Sequence, residues 1–151
     1  MKLNVVQVCQ AKYPGEVEKL HITFRQTDFD ILIASWNVEG VPRPTEAELL
    51  AQADQYAEAY HLMIFMQTGQ ILVQSSIDST AKSRQYNDGV YCASYAQSTN
   101  PTWAAEAQAF IAWRDSMYAY ALQVFSDIQS GSPAPTQEEF VAGFPKIVWP
   151  S

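Results

Sequence analysis

Apolar positions along this chain follow two periods, and the change from one to the other divides it. Residues 3–12 are mostly apolar and predict a short helix that stops before Pro14-Gly15, a pair that favours a turn. Residues 20–24 and 30–36 are rich in β-branched and aromatic residues and predict two strands, with Gln26-Thr27-Asp28 as their connection. The product is a small antiparallel hairpin, marginal if left alone. Val41-Pro42-Arg43-Pro44 then ends the extended part, because proline donates nothing to a ladder and holds its neighbour out of the helical region.

From there the period is helical. Thr45 and Glu48 form a capping box, in which the threonine oxygen accepts from the third helical amide and the glutamate reaches back, so a helix starts at Glu46. Leu49, Ala53, Tyr56, Tyr60 and Ile64 share one face at spacings of three and four. Thr68-Gly69 is the candidate break, since glycine costs a helix about 1 kcal/mol relative to alanine. The pattern resumes at Ile71 and runs through Ile77 and Ala81 to Arg84, which fits one kinked helix or two.

Asn87-Asp88-Gly89 marks a turn, residues 90–95 a short helix, and Asn100-Pro101 the start of the strongest helix of the chain. Trp103, Ala107, Phe110, Met117, Ala121, Phe125 and Ile128 recur along one side of it, with Arg114 in the same stripe. Ser130-Gly131-Ser132-Pro133 stops it. Thr136 and Glu139 repeat the capping-box device and predict a short last helix, followed by an extended tail through Phe144-Pro145 and Trp149-Pro150. The expected architecture is α+β, mostly α, in four parts. These are an amino-terminal α/β module over residues 1–41, a proline linker at 42–44, a helical bundle or hairpin over 45–130, and a proline-rich tail over 131–151.

Composition narrows the function classes. A chain of 151 residues buries about two thirds of its unfolded surface, enough for a self-sufficient core. It is 48% hydrophobic but only 17% charged, against about one quarter charged in an ordinary domain. Part of its surface is therefore expected to be covered by a partner or by a second copy, as in a homo-oligomer. The net charge is -7, with no block of lysines or arginines. Nucleic-acid backbones and anionic membranes both require clustered positive charge, so neither is an expected partner. No apolar run is long enough to span a bilayer. The amino terminus, interrupted by Gln7 and Gln10, does not read as a signal peptide, and the expected setting is soluble and intracellular. Cys9 and Cys92 lie far apart in apolar surroundings and predict two buried free thiols, with a bridge between them as the alternative.

Chemistry-bearing constellations are scarce. His21 and His61 have no second ligand at zinc spacing, so both read as structural and no metal is expected. Asp28 and Asp30 could make a carboxylate pair of the kind glycosidases use, though turn positions, where aspartate bonds its own backbone, are the commoner explanation. There is no Gly-x-Gly-x-x-Gly, Walker loop or Gly-x-Ser-x-Gly, so no cofactor is expected and the chain reads as non-enzymatic. What stands out is aromatic. Tyr86, Tyr91, Tyr95, Trp103, Trp113, Tyr118 and Tyr120 crowd residues 78–120, the composition of a packing or docking surface. Arg114 is expected to pair with Asp78 or Asp88 or to lie on a ring.

Several of these stretches together resemble small proteins encoded beside tail-fibre genes in tailed bacteriophages and prophages. Ala11-Lys12-Tyr13-Pro14-Gly15, Ile33-Ala34-Ser35-Trp36-Asn37 and Pro42-Arg43-Pro44-Thr45-Glu46-Ala47-Glu48-Leu49 look like their amino-terminal module. Ala81-Lys82-Ser83-Arg84-Gln85-Tyr86-Asn87 and Ala107-Gln108-Ala109-Phe110-Ile111-Ala112-Trp113-Arg114 look like their helical module, and Trp149-Pro150 closes the likeness. Where the family has glycine in an Arg-Gly-Tyr-Asp pattern, this chain has Gln85. The resemblance implies tail-fibre assembly, as chaperone or virion subunit, with a tail-fibre or baseplate protein as partner and a place in the host cytoplasm or the virion tail. It carries no catalytic residues. The anchors expected for such a partner are Trp103, Phe110, Trp113, Arg114, Tyr118 and Trp149. The competing expectation is a host-carbohydrate-binding or glycan-processing module, resting on the rings and on Asp28 with Asp30.

Overall fold

Asn4 and Gln7 cap one another's backbone and start α1, Val5–Lys12, whose Val5, Val8 and Cys9 turn inward. A computed structural model describes residues 2–27 and 30–150. Strands β1 (Ile22–Gln26) and β2 (Ile31–Trp36) follow as an antiparallel pair, with an irregularity in register between Thr23 and Phe24. Helices α2 (Glu46–Ala51), α3 (Ala53–Ser83), α4 (Gly89–Ser94), α5 (Pro101–Gln129) and α6 (Gln137–Ala142) complete the chain, with a 3-10 turn at Tyr95–Gln97. The fold is therefore α+β and mostly helical, with the hairpin at its amino-terminal side.

The chain divides into two compact units, Met1–Ile64 and Phe65–Ser151, and the division falls inside α3. This is later than the proline linker at 42–44, because Leu49 and Ala53 pack with Leu3, Val5, Val8, Cys9, Ile22 and Ile33 in one buried cluster. The linker itself is fastened to the hairpin. Arg43 donates to the Ile33 carbonyl at 3.0 Å, and the Ile33 N–H donates to the Glu46 carboxylate at 2.9 Å. That backbone bond, ahead of the Arg43 charge, holds the Glu46 carboxyl below the usual range. Trp36 donates its indole N–H to the Val41 carbonyl at 2.8 Å and meets Tyr13 edge-on at 5.1 Å.

The helix starts follow the sequence closely. Thr45 with Glu48 and Thr136 with Glu139 form the expected capping boxes, and Asn100 caps α5 ahead of Pro101. The expected interruption at Thr68-Gly69 is absent, and α3 passes through it unbroken. The missing side chain answers a packing need, since a Cβ on Gly69 would stand 3.0 Å from the Phe125 ring. The helical run breaks instead at Gln52, whose N–H reaches back to Leu49 and Leu50 and whose side chain accepts from Lys12.

The second core joins Val73, Ile77 and Ala81 of α3 to Phe110, Trp113, Met117, Ala121 and Phe125 of α5, with Tyr86, Cys92 and Phe140. Gly69 faces Phe125, and the Tyr118 hydroxyl donates to Gln74 at 2.9 Å, so α3 and α5 run antiparallel. The tail is not free. Beyond α6 it has no regular structure, yet Trp113 donates to the Pro145 carbonyl at 2.8 Å, and Trp149 stacks on Phe110 at 6.2 Å.

Gln85 closes α3 at a φ of +68°, the left-handed region, while the Tyr86 N–H bonds the Ala81 carbonyl. A side chain costs roughly 1–2 kcal/mol there, and glycine gives part of that back as extra freedom when unfolded. Gln85→Gly is expected to stabilise the protein by about 0.5–1 kcal/mol in a urea titration; a loss of stability would show that the glutamine side chain is needed.

Glu46, Glu48, Asp78 and Glu139 all have folded pKa values lowered mainly by backbone N–H donors. A lowered carboxylate favours the folded state above its unfolded pKa of about 4, and that contribution disappears as pH falls through the lower folded value. The melting temperature should be flat from about pH 7 to pH 5 and fall below about pH 4, with a shallower fall in the Glu48→Gln, Glu139→Gln variant. A wild-type melting temperature unchanged down to about pH 3 would contradict this.

Candidate partner-binding surface

The six anchors expected from the sequence separate into two groups. Phe110 and Trp113 are core residues, because the chain's own tail lies across them, and they are withdrawn as surface contacts. Trp149 is half-buried between the Phe110 ring and the Arg84 guanidinium, whose carbon lies 5.1 Å from the indole centre. Trp103 and Tyr118 remain 48% and 42% exposed.

Arg114 differs from its expected pairing. Its guanidinium bonds the neighbouring Asp115 carboxylate at 2.8 and 3.1 Å. Both expected partners are otherwise engaged. Asp78 accepts from the Gly89 N–H at 2.9 Å and from Gln74, and Asp88 caps α4 through the Tyr91 N–H. The Gly89 amide comes first among the causes that hold the Asp78 carboxyl below its usual range. As a surface pair, Arg114 and Asp115 contribute at most about 1 kcal/mol.

Around Tyr118 the surface is apolar to a degree the sequence did not announce. Val90 is 79%, Ile71 68% and Leu122 67% exposed. Val90, Arg114 and Tyr118 line one shallow depression of about 240 Å³, and Gln74 joins it to a second that Ile71 lines. Tyr118 and Leu122 stand four apart on α5, and so on the same face. These four residues form an exposed apolar stripe over α3, α4 and α5, interrupted by the polar side chains of Gln74, Arg114 and Asp115. The signal for Ile71 and Leu122 was their phase: each sits off the stripe made by Val73 and Ile77 or by Met117 and Ala121.

Trp103 belongs to a second group, a chain of rings. Tyr95 stands 5.6 Å from Trp103, 5.4 Å from Tyr91 and 5.5 Å from Tyr86. Tyr86 anchors this row by donating to Glu106 at 2.9 Å, and burial first, then that bond, pushes its hydroxyl up to about 12. Glu106 also pairs with Arg84 at 3.3 Å.

The remaining polar candidates have structural partners or open surroundings. His21 contacts Glu16 at 2.7 Å, and His61 is exposed next to Tyr60. Asp28 lies outside the described residues; the Thr27 N–H donates to the Asp30 carbonyl at 2.8 Å, and the Asp30 N–H donates to the Thr27 hydroxyl at 2.9 Å. Cys9 and Cys92 are buried free thiols, and burial raises both to about 11, which leaves them almost wholly unionised near neutrality. Among the described residues, no group of three His, Cys, Asp or Glu side chains could hold a metal ion, and no helix is long and apolar enough to cross a membrane. In the first unit a groove of about 520 Å³ beside β2 takes in Asn4, Asp30, Leu32, Glu46 and Leu50, and its Glu46 carboxylate is already bonded to Ile33.

No protein-family model, curated protein or solved structure matches the chain.

The two tryptophans of α5 provide a contrast. Trp113→Ala removes a buried ring and is expected to cost about 3–5 kcal/mol by chemical denaturation, whereas Trp103→Ala should cost about 1 kcal/mol or less. Equal losses would mean that Trp103 is seated as deeply as Trp113.

Proposed function

We propose that the protein is a non-enzymatic component of a bacteriophage tail that binds a tail-fibre or baseplate protein, as an assembly chaperone or as an accessory subunit of the virion. The observation that carries a binding role is the set of large apolar side chains Ile71, Val90, Tyr118 and Leu122, exposed on the helices whose other faces form the core of the second unit. Large apolar side chains exposed near one another favour association with another protein. The tail reading rests on the motif resemblance, and Gln85 lends it support: the backbone is left-handed at the position where the resembled pattern has glycine.

In this reading the stripe covers an apolar face of the fibre protein before that face finds its own subunits. Tyr118 supplies a ring with a hydroxyl already oriented by Gln74, and Val90 and Leu122 supply area on either side of it. A saccharide-binding reading draws instead on Tyr91 and Trp103 around Tyr95, beside Ser94, Ser98 and Thr99.

If a tail-fibre gene lies beside this one, as in the proteins the chain resembles, co-expression with its product tests the proposal. The two chains should co-elute and the fibre protein should become more soluble. Val90→Asp with Leu122→Asp should abolish both effects while circular dichroism stays unchanged. Absence of co-elution together with unaltered fibre solubility would defeat the reading, and binding on a glycan array that Trp103→Ala removes would replace it. Mass spectrometry of purified virions then separates a permanent subunit from a chaperone.

A further inference from the structure

Residues 136–150 form an arm with its own internal order. Thr136 and Glu139 cap α6, Phe140 and Phe144 meet at 5.2 Å, and the rest of the arm runs on without regular structure. The arm lies antiparallel along α5. Phe140 packs on Phe125 at 5.9 Å and on Tyr120 at 5.6 Å, and Phe144 reaches Tyr120 at 6.0 Å. Pro145 then receives the Trp113 N–H, and Trp149 covers Phe110.

The connection to α5 is of a different kind. Gly131, Ser132, Pro133 and Ala134 are all exposed. The reversal that sends the arm back rests on Gly131 at a φ of +100°, on its N–H to Ile128 at 2.9 Å, and on Ser132 N–H to Asp127 at 3.0 Å. Pro133 and Pro135 favour an extended course through the same residues. The turn at Gly131 and the extended stretch from Pro133 to Pro135 follow one another in one short, exposed hinge, and only the first has to change when the hinge opens.

We propose that this arm is exchangeable, and that a second copy of the chain can place its own residues 136–150 on the α5 groove of the first. Each arm contact just described joins the arm to its groove or to itself, so all of them form equally well when the arm comes from another copy. Only the hinge changes. Opened, its six residues from 130 to 135 span roughly 19 Å at polyproline rise, about twice the 8–10 Å between packed helices. Reciprocal exchange closes the assembly as a symmetric pair, with Trp113 and Phe110 of each copy holding the other's arm. The occupant of the groove is thus the segment for which the groove is already shaped.

Gly131→Val tests this without touching the groove, since a β-branched residue strains the closed hinge at positive φ and is at ease in the extended one. Size-exclusion chromatography with light scattering should find wild-type chain mainly monomeric at micromolar concentration, with dimer at about 1 mM, the range of an intramolecular arm's effective concentration. Gly131→Val should dimerise at least about tenfold more tightly. Because the arm seat is the same in both forms, adding Trp149→Ala or Arg84→Gln should leave the dimerisation constant nearly unchanged, and Leu122→Asp should leave the dimer intact. A Gly131→Val chain that stays monomeric at about 1 mM, whether or not its melting temperature drops, overturns the proposal. So does a dimer that is lost with Leu122→Asp, which would place the contact on the exposed stripe.

Discussion

Phe125 and Phe140 stack at 5.9 Å and 18° because α3 presents no side chain at Gly69, where a Cβ would come within 3.0 Å of the Phe125 ring and 3.4 Å of Phe140. Phe65 closes the group edge-on, 6.2 Å from Phe125 and 5.5 Å from Phe140. Glycine costs the helix about 1 kcal/mol, while each buried ring removes 150–250 Å² from water at roughly 25 cal/mol per Å², so the packing outweighs the propensity several-fold. The place of Phe140 decides where α6 sits, and α6 decides the line along which residues 143–150 return over α5. Phe110 and Trp113 lie beneath the tail that follows α6.

That dependence explains which features were legible in the sequence. Helix starts are local: Asn100, Thr45 and Thr136 find their acceptors' partners within three residues, and all were read correctly. The hairpin was legible because its strands carry β-branched residues and its connection is short. Whether Gly69 interrupts the helix was left open by the sequence, because its reason for being glycine lies on Phe125, more than fifty positions away. Trp113 was taken for a surface anchor because nothing near it in sequence reveals that the Pro145 carbonyl will meet its indole. Arg114 was assigned distant aspartates, although the one beside it was free to accept. The linker at 42–44 stopped the strand as expected, but its attachment to Ile33 is a tertiary contact with no sequence signal of its own.

The aromatic richness of residues 78–120 therefore serves two ends. Phe110 and Trp113 belong to the chain's own core, and Tyr86 is committed to Glu106. Trp103 and Tyr91 keep ring surface in water around Tyr95, and Tyr118 does so beside Val90 on another part of the surface. Core and exposed stripe share α5, one helix with a covered side and an uncovered one, so the same element can stabilise the fold and present a contact.

The contacts of Arg43 and Glu46 with Ile33 have a further bearing on the hairpin. They occupy, in the middle of β2, the N–H and carbonyl that point away from β1. An incoming strand would need those two groups and would have to displace a guanidinium and a carboxylate to reach them. A two-stranded ribbon of this size is ordinarily prone to recruit further strands from its neighbours. Here charged side chains guard that edge, and growth of the sheet through β2 is blocked.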